Sequence, residues 1–178
     1  MKIGRDMVAA LGALALAGAA TAHAQAPAGP EQEMLKSGVG TWDATVEMAT
    51  PGGAPALSKG VETSTLVGGW LITDFKSDME GQAFVGHGIT GYDPAKKKVV
   101  STWVDSTMTT LTVSDSSYDA SAKTLTGWMD AADPTGKPTK YKMVTEWKDP
   151  DTRLFTIWSP GPDGKDWAGL KITYKRRK

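Results

Sequence analysis

Between residues 40 and 176 the chain is never more than a hairpin turn away from another strand-like run, and that spacing limits its fold more than any other feature. Alternation together with β-branched and aromatic content marks ten segments: 40–50, 56–67, 70–78, 84–92, 98–106, 109–115, 123–131, 139–148, 152–159 and 166–176. Turn chemistry separates them. Pro51-Gly52-Gly53-Ala54-Pro55 closes the first hairpin, and Met79-Glu80-Gly81-Gln82 closes another. Asp93-Pro94, Asp133-Pro134 and Asp149-Pro150 open three more, and Ser159 to Gly164 is the longest. A parallel crossover needs a dozen or more residues, and no connection supplies them. Strands adjacent in sequence should therefore pair antiparallel. The expected fold is all-β, an antiparallel up-and-down β-barrel of about ten strands. A two-sheet sandwich is the competing architecture. Closure removes the exposed edges that an open sheet would leave. Glycines inside strands, at 60, 86, 88, 127 and 169, are expected to mark bulges or sharp bends.

The first residues are of a different kind. Lys2 and Arg5 precede an apolar run from Met7 to Ala20, and Ala22-His23-Ala24 follows as a small-residue cleavage signal. Fourteen helical residues span about 21 Å, short of the roughly 30 Å hydrocarbon core. Residues 1–24 are therefore expected to be a cleaved Sec-type signal peptide. The protein would be periplasmic or extracellular, with no membrane span after cleavage. Residues 25–30 form an Ala/Pro/Gly linker, and 31–178 a single barrel domain. One short N-terminal helix is predicted over 30–36. Pro30 suits its first position, Glu31 and Glu33 its first turn, and Gly38 its end.

The chain has no Cys, so disulfides, thiolate metal sites and Cys nucleophiles are excluded. Twenty basic and twenty acidic residues balance. No basic stripe suggests nucleic acid as a partner. The basic run Lys175-Arg176-Arg177-Lys178 is expected to be a solvated terminus.

Gly40-Thr41-Trp42 opens the first strand, which alternates Trp42, Ala44, Val46 and Met48 against Asp43, Thr45 and Glu47. Seven Trp stand beside only three Phe and four Tyr, and most are expected in the core. A barrel has an inside that can hold a ligand. The residues assigned to it are His87, Trp103, Asp105, Met129 and Met143. His87 alternates with Val85 and Ile89 and is expected to point inward. It is either an ordinary core or surface imidazole or a haem ligand or proton-transfer group. Asp105 shares a face with Trp103, as a strand-end cap or a ligand anchor; Asp74, on the face of Trp70 and Ile72, has the same two roles open. No nucleophile elbow or metal motif is present, so no catalytic residue or cofactor is assigned.

Four motifs in order carry a family resemblance: Gly40-Thr41-Trp42-Asp43, Gly68-Gly69-Trp70-Leu71, Gly86-x-Gly88-x-x-Gly91-Tyr92-Asp93 and Thr102-Trp103-Val104-Asp105-Ser106. Together they resemble the bacterial family known as domain of unknown function 1579. That family looks related to the calycin barrels: lipocalins, fatty-acid-binding proteins and nitrobindin-like haem proteins. The resemblance implies a calycin-like barrel and no established activity. It also implies that Trp42 packs at the barrel base against a cation of the last strand, Lys175 or Arg176. The connection at 51–55 is too short for the helical lid of fatty-acid-binding proteins, and the nitrobindin-like glycine-rich motif is absent after Trp42. The expected function is binding of a small apolar or amphipathic molecule. The alternatives are a packed structural or interaction module, and a haem protein using His87.

Overall fold

In the computed structural model the described residues are 29–50, 52–79, 81–133, 135–161 and 165–178. The expected signal peptide, residues 1–24, and most of the expected linker lie outside them, as do Pro51, Glu80, Pro134 and residues 162–164. One helix, α1 (Pro30–Gly38), precedes ten strands. They are β1 (Gly40–Met48), β2 (Ala56–Val67), β3 (Trp70–Met79), β4 (Gln82–Asp93), β5 (Lys98–Asp105), β6 (Thr112–Asp119), β7 (Thr124–Ala132), β8 (Pro138–Asp149), β9 (Thr152–Pro160) and β10 (Asp166–Arg176). Each strand pairs antiparallel with its sequence neighbours, and β1 pairs with β10 to close the barrel. The sandwich is thereby excluded. No helix among the described residues is long and apolar enough to cross a membrane.

α1 is nine residues long, too short to be stable alone. Packing holds it: Met34 and Leu35 are buried against Leu71 and Val99 across one end of the barrel. Its last turn is tied down by β1, because the Trp42 indole N–H donates to the Gly38 carbonyl at 2.9 Å. Several turns begin with an Asp whose carboxylate accepts backbone N–H groups just downstream, among them Asp93, Asp105, Asp119, Asp133 and Asp149. The turns after Asp93 and Asp119 also share a lysine in the left-handed region, Lys97 at φ 54° and Lys123 at φ 50°.

Two expectations about strands change. The sixth strand starts at Thr112 rather than residue 109, because Asp105 turns the chain first. Its carboxylate accepts the Thr107 N–H at 2.8 Å and the Thr107 hydroxyl at 2.6 Å. The strand glycines mostly provide room rather than bends. A Cβ on Gly86 would lie 2.2 Å from the Trp103 ring and one on Gly127 2.0 Å from the Ser116 hydroxyl, while the pairing through both stays in continuous register. Gly169 alone of the five sits at a bulge, where β10 slips between Ala168 and Leu170.

The tryptophans also divide differently from expectation. Trp42 is fully buried, and Trp103 and Trp147 turn into the barrel. Trp70, Trp128 and Trp167 are exposed, at 44%, 48% and 43%. Trp70 lies on the outside over Gly91, whose Cβ would meet its ring at 2.3 Å.

Candidate functional site

The interior holds a cavity of about 820 Å³. Its floor is at the α1 end, and its mouth is ringed by the β1–β2, β3–β4, β5–β6, β7–β8 and β9–β10 turns. Exposed Met48, Met108 and Leu111 line the rim, so the cavity reaches solvent there.

The floor is built by residues far apart in sequence. Trp42, Ala44, Val46, Phe75, Ile172 and Tyr174 form one buried cluster. Within it Arg153 Nη2 donates to Glu62 Oε1 at 2.6 Å, and both side chains are 8% exposed. The same Glu62 oxygen accepts the Ser64 hydroxyl at 3.1 Å. The Arg153 guanidinium lies 4.2 Å from the Tyr174 ring centroid and 4.9 Å from that of Trp42. A buried ion pair needs this kind of support, because desolvation otherwise outweighs its attraction. Burial, followed by the neighbouring Glu62 charge, raises the Tyr174 hydroxyl far above the usual phenol range. It stays a neutral O–H.

Beneath the pair the base is sealed by Arg176. Its guanidinium covers Trp42 at 4.0 Å and donates to the carbonyls of Val39 and Ser37 at 2.6 and 2.7 Å. Lys175, the other cation considered for this contact, instead bonds the Thr152 hydroxyl on the exterior. The reason is register: Trp42 is the direct partner of Arg176, and Lys175 falls on the opposite face.

The walls are unequal. Phe155, Ile157, Leu170, Met143 and Met129 line one part, and Thr90, Ser101, Ser114 and Ser116 another. Trp103 stands between, flat against Gly86 and Gly88. Its indole N–H donates to Asp105 Oδ2 at 3.0 Å. Burial pushes the Asp105 carboxyl up, but hydrogen bonds from Thr107, Trp103 and Met108 outweigh it and hold the group below the usual carboxylate range. Asp105 therefore caps the end of β5 and fixes the Trp103 ring at the mouth.

Of the assigned ligand residues, Trp103, Asp105, Met129 and Met143 line the cavity. His87 does not. It points outward, 61% exposed, with Nδ1 2.5 Å from Asp74 Oδ1 on the neighbouring strand. The expectation that it faces the lumen is corrected: Gly86 and Gly88 take the inward positions, because Trp103 occupies the space that side chains would need. Asp74 lies on the outer face for the same reason of alternation. Among the described residues no cluster of three His, Asp or Glu side chains can hold a metal.

Glu62, Arg153, Ser114 and Ser116 were not singled out from the sequence. A signal for Arg153 existed, since it alternates with Phe155 and Ile157 and so shares an inward face. β6 was expected as a strand over 109–115, but its Ser-Asp-Ser-Ser run gives no apolar face to mark the inside, and Ser114 and Ser116 are buried.

Comparison with solved structures supports the fold. Rv2717c from M. tuberculosis superposes with a TM-score of 0.63 at 13% identity, covering 84% of this chain and 99% of that one. The S-type phycobiliprotein lyase CPES from Guillardia theta gives a TM-score of 0.57 at 11% identity, over 83% and 92%. At these identities the likeness is one of fold alone. No curated protein sequence matches the chain. The profile described as "Protein of unknown function (DUF1579)" matches residues 27–176, and with the closed barrel found over that span the chain belongs to this family.

Proposed function

We propose that the protein binds a small amphipathic molecule inside its barrel. The observation that carries this is the cavity of about 820 Å³, closed by α1 at one end and open at the other. Pockets for small ligands generally measure about 300–1,000 Å³ and combine apolar walls with a few placed polar groups. Here Met129, Met143, Phe155 and Ile157 supply the apolar wall, and Ser114, Ser116, Glu62 and Arg153 the polar groups. The protein gently purified from its own cells and extracted for small molecules should release a compound detectable by mass spectrometry. An empty extract, together with calorimetric titrations that detect no amphiphile, would sink the proposal.

The site of action follows from the N-terminal signal. We propose that the chain is exported and works in the periplasm or outside the cell. Sequencing of the N-terminus of the exported protein should begin at Gln25.

A second reading is favoured by Trp70, Trp128 and Trp167 on the exterior. Aromatic residues are enriched in protein interfaces. A barrel acting through its outer face would self-associate or capture a partner with the lumen empty. Substituting Trp128 would then abolish activity that lumen-blocking variants leave intact.

A further inference from the structure

We infer that the cavity floor selects an uncharged headgroup that both donates and accepts hydrogen bonds, a primary alcohol or a primary amide, and discriminates against a carboxylate. This rests on the lumenal binding proposed above and specifies its ligand class.

Among the described residues four charged side chains line the cavity: Glu62, Asp105, Asp130 and Arg153. Arg153 is the one cation among them, and its charge is already met by Glu62 at 2.6 Å. The guanidinium also packs on the Trp42 and Tyr174 rings, contacts that it would give up by swinging to a new partner. A carboxylate reaching the floor would set a second anion beside Glu62 with one cation between them. It would also leave water to do so, and burying an uncompensated charge is costly. On its way in it would pass Asp105 and Asp130 near the mouth.

The hydrogen-bonding capacity of the pair is less fully used than its charge. A guanidinium has five N–H donors, and Glu62 and the adjacent Tyr174 hydroxyl engage no more than two of those on Arg153. Arg153 and Ser64 both donate to Glu62 Oε1, and the Tyr174 hydroxyl is a further partner of the same carboxylate. Arg153, Glu62 and Tyr174 all line the lumen. Among the described residues Trp147 Nε1 is the one buried, unpartnered side-chain polar atom. The floor therefore offers donors and acceptors side by side with no net charge. A hydroxyl or a primary amide complements both; a carboxylate only accepts, and an ammonium only donates.

The test compares dodecanol, dodecanamide and dodecanoate, matched in chain length, by calorimetric titration near neutral pH. The alcohol and the amide should bind about tenfold or more tightly than the carboxylate, the scale of one hydrogen bond to a charged group. Glu62→Gln leaves Arg153 uncompensated and should invert the order, with dodecanoate now tightest. The paired change Glu62→Gln with Arg153→Met removes both charges and leaves no cation at the floor, so dodecanoate should again bind weakest; dodecanoate binding tightest in it would overturn the inference, which keeps the test open if the single variant does not fold. Equal binding of all three by the wild type, a wild-type preference for dodecanoate, or an unchanged order in Glu62→Gln overturns the headgroup inference alone. Binding of none of the three overturns the lumenal reading with it.

Discussion

The guanidinium of Arg176 lies 4.0 Å from the centre of the Trp42 ring, joining the last strand to the first at the point where the barrel closes. Through its bonds to the carbonyls of Ser37 and Val39 the same group anchors the end of α1. Replacing Arg176 with Ala should cost about 1–3 kcal/mol, the sum of a cation–π contact and the lost hydrogen bonds. Lys175→Ala should stay within about 0.5 kcal/mol, because its side chain is on the exterior. Urea denaturation of both variants measures this. Faster amide exchange across 30–38 in Arg176→Ala would show that the plug has loosened.

Gly86 and Trp103 are a matched pair. Gly86→Ala puts a methyl group 2.2 Å from the present ring position, so the indole must move. The expected loss is about 1–3 kcal/mol, typical of overpacking, with a shifted Trp103 emission. In a Trp103→Ala background the same Gly86→Ala change should cost close to nothing, because the ring it strikes is gone. A double-mutant cycle with no coupling between the two positions would contradict the packing described.

Asp105 makes stability depend on acidity in one direction. Its folded carboxyl titrates below the ordinary value of 3.8, so the charged form is favoured by folding. The stabilisation is complete above the unfolded pKa and is lost as pH falls through the folded one. The gap in stability between wild type and Asp105→Asn should be constant above about pH 5 and shrink steadily in more acidic buffer. A gap that widens on acidification would reverse this sign.

Met143→Trp extends a ring into the lumen and should weaken amphiphile binding at least about tenfold, since an occupied cavity loses the contacts that drive binding. Trp128→Ala, on the exterior, should leave the affinity unchanged. The opposite pattern would move the binding site to the outer face.

His87→Ala should change stability by no more than about 0.5 kcal/mol, because the pair with Asp74 is exposed. Haem added to wild type and to His87→Ala should give the same Soret spectrum. A spectrum that depends on His87 would revive it as a ligand from the outer surface.

The number and order of strands, the closing turns and the short helix were legible because their causes are local. An Asp that accepts N–H groups two and three residues downstream, or a Pro at a helix start, carries its consequence with it. Trp42 against Arg176 was legible at one remove, through the family resemblance, which left Lys175 equally open until register separated the two.

Which face of each strand looks inward was decided by tertiary structure. Alternation separates two faces and labels the apolar one as inner only when the inside is dry. This inside is not: it carries Ser114, Ser116, Glu62 and Arg153, while Trp70, Trp128 and Trp167 remain on the exterior. His87 was assigned inward by its apolar neighbours Val85 and Ile89, yet Trp103 from the next strand claims the lumen and leaves only glycine room there. Glu62 and Arg153 are separated by 91 positions and meet because closure brings β2 and β9 to the same floor. The sequence alone determined an antiparallel meander of hairpin-linked strands, since its links are too short for crossovers; the pairing of β1 with β10 decided for the closed barrel over the sandwich. What the barrel holds inside was set by side chains from distant strands competing for one enclosed volume, a condition no single strand encodes.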